Sequence, residues 1–455
     1  MEEKRYLKWY NKVGYGSGDI AGNVVYAFLS TFVMVYLTTV VGMNAGVVGT
    51  LIALSKLLDG VTDVFFGTMI DKTKTKMGKA KPWMLYGYIG CAVTLAAIFA
   101  IPVDMGATAQ YAWFFIAYSL LNAVFYTANN IAYSALTALV TKNSRERVEM
   151  GSYRFIFAFS TSLIIQTITL DFVEKMGGGA AGWRTVAIIY AVIGLVVNTI
   201  SALSVKELSE EELKESDEQK NNETKEEKYT LIDGAKLLFA NKYYIMISMI
   251  YLLQQIYQAM INVGLFYMMY VLFNEDLYPK FSWATNIPLI IALILTPHLV
   301  ERWGSVYKPN LIGFTTCIIG RALVVVAAYF GSIPLMLVFT AVGAFGMGPW
   351  QGGMNAVIAA CSEYTYLTKK KRVDGTMYSC TSFGLKLGGG LGMAITGWMM
   401  DFSGFDGDLL VQPQSCVDML SFMYLWMPVI ILIIITLIMS KLDVEKVNKT
   451  LKATS

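Results

Sequence analysis

Apolar stretches of about 20 residues or more recur along almost the whole chain, and each could cross a hydrocarbon layer of about 30 Å as a helix. Twelve such stretches are present, near residues 13–40, 46–70, 82–103, 109–140, 153–175, 183–205, 243–273, 281–301, 309–330, 333–361, 375–400 and 416–440. A strongly polar segment, 206–229, follows the sixth stretch and has no apolar stripe for a core. The pattern predicts an all-α membrane protein with twelve transmembrane helices in two six-helix bundles.

The predicted organisation is an N-terminal six-helix bundle at 1–205, a cytoplasmic linker at 206–242, a C-terminal six-helix bundle at 243–441 and a cytoplasmic tail at 442–455. Most Lys and Arg residues fall in loops that are cytoplasmic if the N-terminus is inside, so both termini are predicted to be cytoplasmic. The charged N-terminus precedes an apolar run too long for a signal-peptide core, so we expect no cleavage.

The amino-acid composition excludes several classes of protein function. Hydrophobic residues make up 55% of the chain and charged residues 15%, mean hydropathy is +0.51 and the net charge is +3. These values exclude a disordered or nucleic-acid-binding protein. His298 is the single histidine, and neither G-x-S-x-G nor H-E-x-x-H occurs. We therefore expect no enzyme and no cofactor.

Charged residues inside the second stretch predict a cation site. Lys56, Asp59 and Asp63 recur at helical spacings of three and four, so they share one face. A charge in mid-bilayer costs about 2.5–3.5 kcal/mol, so this face must point into the protein. Two carboxylates, with the hydroxyl of Thr62 or Thr127, can hold sodium, or one carboxylate can hold a proton. The alternative is a permanent salt bridge with Lys56 or Arg154 that only joins helices.

Polar residues in the first and fourth stretches predict a binding site for a polyhydroxylated solute. Asp19 lies among small residues and can accept hydrogen bonds from hydroxyl groups. The fourth stretch holds aromatic, amide and hydroxyl side chains that suit a sugar ring and its hydroxyls, namely Tyr126, Thr127, Asn130, Tyr133 and Ser134. Two alternatives remain: Asp19 is only an ion-pair partner of Arg154 or Lys386, and the fourth stretch is an ordinary packed aromatic helix.

Further candidate ligands lie in later stretches. Arg154 opens the fifth, and Lys386 lies among glycines in the eleventh, where an intramembrane Lys needs a carboxylate or a substrate nearby. Pro349 predicts a break in the tenth helix, which makes Trp350 and Gln351 candidate contacts or merely part of a kink.

The cytoplasmic helix ends carry candidate gating residues. Asp71 and Glu363 can form breakable ion pairs with Lys and Arg of the short basic loops at 71–83 and 368–375, among them Arg372. Lys56 is a further candidate gating residue. The alternative is that the basic loops only set the membrane orientation.

Five segments of the chain resemble motifs of the glycoside-pentoside-hexuronide:cation symporter family, which is part of the major facilitator superfamily and includes the melibiose carriers. The similar motifs are GYGSGD (14–19), LLDGVTD (57–63), KMGKAKPW (76–83), EYTYLTKKKRVDG (363–375) and YSCTSFGLKLGGG (378–390). The resemblance implies the major facilitator fold. It also implies a coupling-cation site at Asp59 and Asp63, and a sugar site formed by Asp19, Arg154, Lys386, Tyr126, Thr127 and Thr381.

Three positions differ from the melibiose carriers. Asn130 stands where they have a second sugar-binding Asp, Ser134 where they have Trp, and Gly18 where they have Lys. Because one carboxylate is lost, Arg154 and Lys386 are less neutralised, and we expect a substrate with its own negative charge, such as a glucuronide or another hexuronide.

The expected function is symport of a glycoside, pentoside or hexuronide with a monovalent cation, sodium or proton, by alternating access. The resemblance implies a monomer surrounded by lipid in the bacterial cytoplasmic membrane. The alternative functions are a carrier of another amphipathic solute, such as a lysolipid or steroid conjugate, and a sensor that does not transport.

Overall fold

The computed structural model describes residues 5–141, 143–208, 238–369 and 379–454. Arg372 lies outside these residues, and the side chains of Asp63, Asp71 and Thr381 also lie outside the described part. In the first half, the first span consists of three consecutive helical segments, Trp9–Gly16, Gly18–Val35 and Tyr36–Val40, and the second and third spans are Ala45–Lys72 and Lys81–Ile98. The fourth span again has three segments, Ala107–Ser119, Leu120–Tyr126 and Thr127–Val140. The fifth and sixth spans are Ser144–Lys175 and Gly179–Leu203. In the second half, the seventh span has two segments, Lys242–Asn262 and Gly264–Tyr270, and the eighth and ninth spans are Leu277–Trp303 and Tyr307–Tyr329. The tenth span has two segments, Ile333–Gly346 and Gly348–Lys369, and the eleventh is Ser379–Phe402. The twelfth span has three segments, Gln414–Ser421, Phe422–Trp426 and Met427–Ser440, and a tail helix, Val444–Thr454, follows it.

The predicted fold class is confirmed: the described residues form twelve spans, six in each half, that follow the apolar stretches of the sequence. Within the described residues, nine helices are long and apolar enough to cross a membrane by length and composition. The other three spans are Ala45–Lys72, Lys81–Ile98 and Ser379–Phe402. We refer to all twelve as the first to twelfth spans, in chain order.

Local sequence explains several helix ends. The side chains of Asn44, Asn143 and Asn241 accept hydrogen bonds from backbone amides in the first turn of the helices that follow them. These caps satisfy amides that have no partner inside the helix. Gly304 ends the eighth span with a φ of 57°, a left-handed conformation that glycine adopts without strain.

The chain divides into two compact units, Met1–Lys225 with Phe405–Leu410, and Glu226–Gly404 with Val411–Ser455. The exact domain boundaries at 205, 242 and 441 stay predictions.

A similar carboxylate cap occurs in both units. Glu207, just after the sixth span, accepts hydrogen bonds from the amides of Lys79, Ala80 and Lys81 at 2.7, 3.0 and 3.0 Å, where the third span begins. Glu445, just after the twelfth span, accepts from the amides of Val306 at 3.0 Å and of its neighbour at 3.3 Å, where the ninth span begins. The same device at matching places supports the equivalence of the two six-helix halves that the order of apolar stretches predicts.

Glycines pack the second unit tightly. A Cβ added at Gly384 would lie 2.3 Å from the Cβ of Tyr251, and one at Gly388 would lie 2.7 Å from the carbonyl of Leu252. The eleventh span therefore lies against the seventh at a distance that only glycine allows.

Candidate functional site

A buried polar cluster joins the second and fourth spans. Asp59 is 7% exposed, and the hydroxyl of Thr127 lies 2.5 Å from its Oδ1. One turn earlier on the second span, Nζ of Lys56 donates to Oδ1 of Asn122 at 3.2 Å. Three of the predicted residues, Lys56, Asp59 and Thr127, therefore meet in one cluster.

A π-helical turn at Leu120–Tyr126 shapes this cluster. The carbonyl of Asn122, within the turn, lies 2.8 Å from the Thr127 hydroxyl, and the Asn122 side chain donates to the carbonyl of Tyr118 at 3.0 Å. Short π-helical turns inside helices are frequent at functional sites. A single-turn change of helical period leaves no clear mark in the hydrophobic pattern, so sequence reasoning did not identify Asn122.

The hydroxyl of Thr62 has a different hydrogen-bond partner from the hydroxyl of Thr127. Its hydroxyl donates to the carbonyl of Asp59 at 3.1 Å, within its own helix. The lone pairs of a hydroxyl oxygen can still accept or coordinate. Between the two candidate hydroxyls, Thr127 is the one that contacts the Asp59 carboxylate.

A second polar cluster joins the first and fifth spans. Nε of Arg154 donates to Oδ2 of Asp19 at 2.6 Å, and the two side chains are 24% and 17% exposed. The guanidinium lies over the ring of Tyr133, 4.1 Å from its centre, and the Tyr133 hydroxyl lies 3.2 Å from the same Asp19 oxygen. The Tyr15 hydroxyl lies 3.5 Å from Nη1 of Arg154. Asp19 is thus paired with Arg154 and remains partly accessible.

Small residues make this arrangement possible. A Cβ added at Gly16 would lie 2.7 Å from the Cβ of Tyr153, next to Arg154. One added at Gly18 would lie 2.6 Å from Oγ of Ser201 and 2.8 Å from the ring of Tyr133. The two glycines let the start of the first span approach its neighbours closely enough for the ion pair to form.

The remaining first-unit candidates lie around these clusters. Asn130 and Ser134, one turn apart, are exposed on the helix Thr127–Val140. Tyr126 is half-buried, and its hydroxyl would lie 3.8 Å from a Cβ at Gly22 of the first span.

The predicted break in the tenth span is present, because the helix Ile333–Gly346 ends before Gly348–Lys369 begins. Trp350 is 1% exposed, and its indole N–H donates to Oε1 of Gln254 at 2.8 Å. Gln351, its neighbour, is half-buried. Trp350 is therefore part of the core of the second unit, and its role in binding stays a prediction.

Lys386 is half-buried on the eleventh span. It lies two positions from both Gly384 and Gly388, so it is on the opposite face from the one packed against the seventh span. Its predicted contact with a substrate also stays a prediction.

One gating candidate has a partner in the tail helix. Nζ of Lys452 lies 2.6 Å from Oε1 of Glu363, and the side-chain amide of Asn448 donates to the carbonyl of Ala360 at 2.8 Å. The described ion pair of Glu363 is thus with the tail, whereas the sequence suggested the basic loops.

A buried carboxylate organises the N-terminal end of the first unit. Glu146 lies in the first turn of the helix Ser144–Lys175, ahead of its apolar part at Glu149–Lys175. It accepts hydrogen bonds from the Thr141 hydroxyl at 2.6 Å and from the amides of Tyr6 and Leu7 at 3.2 and 3.0 Å. Burial by itself raises the pKa of Glu146, but these hydrogen bonds and nearby Lys12 outweigh it and lower the pKa from its usual 4.5.

Comparison with known families decides the classification. The family described as MFS/sugar transport protein matches residues 14–446, almost the whole chain. The chain belongs to this family. The resemblance to cation symporters of the major facilitator superfamily is therefore confirmed.

Two bacterial carriers have sequences similar to this chain. The isoprimeverose transporter of Lactiplantibacillus pentosus is 28% identical over 431 residues, which cover 94% of this chain and 87% of that protein. The glucuronide carrier protein homolog of Escherichia coli strain K12 is 27% identical over 419 residues, covering 90% and 87%. A solved bacterial homolog of the human lysosomal transporter Spinster, in an inward-facing conformation, has a TM-score of 0.69 at 12% identity, covering 96% and 98%. That structure shares the fold.

Membership of the MFS/sugar transport family establishes a multi-pass membrane transporter that is not an enzyme and requires no cofactor. Sequence reasoning missed several residues inside the spans, and two of them, Tyr15 and Gln254, contact predicted residues. Tyr15 and Gln254 are aromatic and polar residues that look like ordinary packing positions. Arg321 is buried and donates to the carbonyl of Tyr424 at 2.8 Å, in another π-helical turn. Its charge inside a span was the one available signal.

Proposed function

We propose that this chain couples the entry of a monovalent cation, sodium or a proton, to symport of a glycoside, pentoside or hexuronide. One observation carries the proposal: the helix Thr127–Val140 contacts both polar clusters. At its start, the Thr127 hydroxyl lies 2.5 Å from Asp59. Nearly two turns later, the Tyr133 hydroxyl lies 3.2 Å from Asp19. A single helix can therefore respond to a ligand at either cluster.

The cation would bind at the first cluster. Oδ1 of Asp59 and the Thr127 hydroxyl supply hard oxygen ligands, which small cations prefer. In this proposal Asp63, one turn further along the second span, completes the site, with Thr62 beside it. If the ion is sodium, Asp59 and Asp63 are its carboxylate ligands; if it is a proton, one of them carries it.

The sugar would bind at the second cluster. Asp19 and Arg154 are partly exposed and offer acceptors and donors to hydroxyl groups. Asn130 and Ser134 are exposed on the neighbouring helix, and Tyr126 can stack on a sugar ring. The names of the isoprimeverose and glucuronide relatives support a sugar-type solute.

Coupling requires that each ligand favour the same occluded state of the transporter. In the proposed cycle the two six-helix units expose the sites alternately to the two sides of the membrane. A membrane potential of 100 mV acting on one charge contributes about 2.3 kcal/mol, which allows roughly fifty-fold accumulation. The proposed location is the cell membrane, with both termini cytoplasmic and the chain acting as a monomer.

Uptake into proteoliposomes tests this function. We expect accumulation of a labelled glycoside against its gradient only when a sodium or proton gradient is imposed. The variant Asp59→Asn should abolish uphill uptake while it retains some sugar binding. Asp171→Asn, an exposed change of the same kind near the end of the fifth span, is the matched control. Full concentrative uptake by Asp59→Asn would reject the cation-site assignment.

A further inference from the structure

The charge balance of the second cluster narrows the substrate class. Nε of Arg154 lies 2.6 Å from Oδ2 of Asp19, so one positive charge and one negative charge face each other directly. The exposed polar side chains on the adjoining helix, Asn130 and Ser134, are uncharged. This part of the first unit therefore presents a neutral surface.

The ion pair leaves hydrogen-bonding capacity unused. In the part of the chain that the structure describes, Oδ1 of Asp19 accepts no hydrogen bond and Nη2 of Arg154 donates none. Both side chains are partly exposed, at 17% and 24%. An available acceptor beside an available donor matches a hydroxyl group, which both donates and accepts. A carboxylate only accepts, and it would bring a second negative charge close to Asp19.

Tyr133 holds Arg154 in this position. The ring lies beneath the guanidinium, 4.1 Å from its carbon atom, in a cation–π arrangement, while its hydroxyl contacts Asp19. Tyr133 is itself anchored, because its hydroxyl lies 2.9 Å from the carbonyl of Tyr15 and the two rings are 4.7 Å apart. Arg154 therefore cannot turn toward an incoming anion without losing both the ring and the carboxylate.

We propose that this site selects an uncharged glycoside or pentoside over a hexuronide, with Tyr133 as the residue that positions Arg154 on Asp19. The inference rests on the proposed transport function and specifies its substrate class. It departs from the hexuronide expected from the sequence, because that expectation treated both Arg154 and Lys386 as poorly neutralised, and Arg154 is the basic residue that lies in this cluster. In the structure, Asp19 already neutralises it.

The test uses pairs of sugars that differ only in charge. Methyl β-D-glucoside is compared with methyl β-D-glucuronide, and methyl β-D-galactoside with methyl β-D-galacturonide, with methyl β-D-xyloside as a pentoside. Binding to the full-length purified protein is measured for each. We expect the neutral member of the preferred pair to bind at least tenfold more tightly.

Variants distinguish the effect of the Asp19 charge on selectivity from the effect of a structural change. Asp19→Asn keeps the side-chain shape and leaves Arg154 unneutralised, so the neutral-to-acidic binding ratio should fall by tenfold or more. Tyr133→Phe keeps the ring and should retain most of the selectivity, whereas Tyr133→Leu should lose it. Asp171→Asn, which removes an equal charge away from the site, should leave the ratio unchanged. Because each ratio comes from one preparation, partial loss of folded protein cancels.

The outcomes distinguish the two proposals. If the unchanged protein binds a hexuronide as tightly as its neutral partner, the selectivity inference is overturned while symport stands. An unchanged ratio in Asp19→Asn would likewise overturn it. If none of the five sugars binds, the proposed function fails together with the inference.

Discussion

The ring of Tyr133 occupies the space that a side chain at position 18 would need. A Cβ added at Gly18 would lie 2.8 Å from that ring and 2.6 Å from Oγ of Ser201. Melibiose carriers have Lys at this position, and such a side chain does not fit here. Glycine at position 18 is therefore what leaves room for the Tyr133 ring, over which Arg154 lies.

Replacing Gly18 should disrupt this arrangement. Gly18→Ala forces the Tyr133 ring or the first span to move, and overpacking of this kind typically costs about 1–3 kcal/mol. We expect a lower unfolding temperature and at least tenfold weaker sugar binding. Gly22→Ala, on the same helix, is the control, because its Cβ would lie 3.8 Å from the nearest atom, the Tyr126 hydroxyl. Equal behaviour of the two variants in thermal unfolding and sugar binding would contradict the prediction.

Removal of the Thr127 hydroxyl should weaken cation binding. Thr127→Val keeps the side-chain shape but removes the oxygen 2.5 Å from Oδ1 of Asp59. Hydrogen bonds to charged groups contribute about 1.5–3 kcal/mol, so we expect the half-saturating concentration of the coupling cation to rise tenfold or more. Cation titration of glycoside binding measures this change.

Thr94→Val is the matched control for that experiment. The Thr94 hydroxyl is buried and donates to carbonyls of its own helix, at Gly90 and Cys91. Its removal should lower thermal stability slightly and leave the cation titration unchanged. If Thr127→Val shows the same cation dependence as the unchanged protein, Thr127 is not a ligand.

Glu146 should make stability depend on pH in the acid range. Its pKa is lowered in the folded protein, so its carboxylate stabilises the fold at pH values above the usual 4.5. This stabilisation is lost as the pH falls through the lowered folded pKa. Glu146→Gln should lower the unfolding temperature at neutral pH, and the difference from the unchanged protein should shrink below pH 4.5. Glu174→Gln, at an exposed position, should show no such pH-dependent difference.

The carboxylate caps should contribute to both units in the same way. Glu207→Ala leaves the amides of Lys79, Ala80 and Lys81 without their acceptor, and Glu445→Ala does the same to the amide of Val306. Loss of such a cap typically costs about 0.5–2 kcal/mol. Each variant should lower the unfolding temperature by a similar amount in a thermal shift measurement. A marked effect of one variant without the other would argue against an equivalent role in the two units.

Some features of the site followed from local sequence. Lys56 and Asp59 share a helix face by spacing alone, and their position inside an apolar stretch required a polar interior. The choice between Thr62 and Thr127 could not be made in this way. Thr62 bonds to the backbone of its own helix, whereas Thr127 reaches Asp59 across 68 positions of sequence.

The sequence by itself determined the class of protein and the number of spans, because the cost of placing polar groups in lipid acts on each segment separately. Only the tertiary structure decided that Arg154 pairs with Asp19, 135 positions away, and that Trp350 donates to Gln254 inside the core. Such partners depend on how helices are rotated and packed against each other. Packing involves contacts between distant parts of the chain, and hydrophobic periodicity along one helix does not encode them.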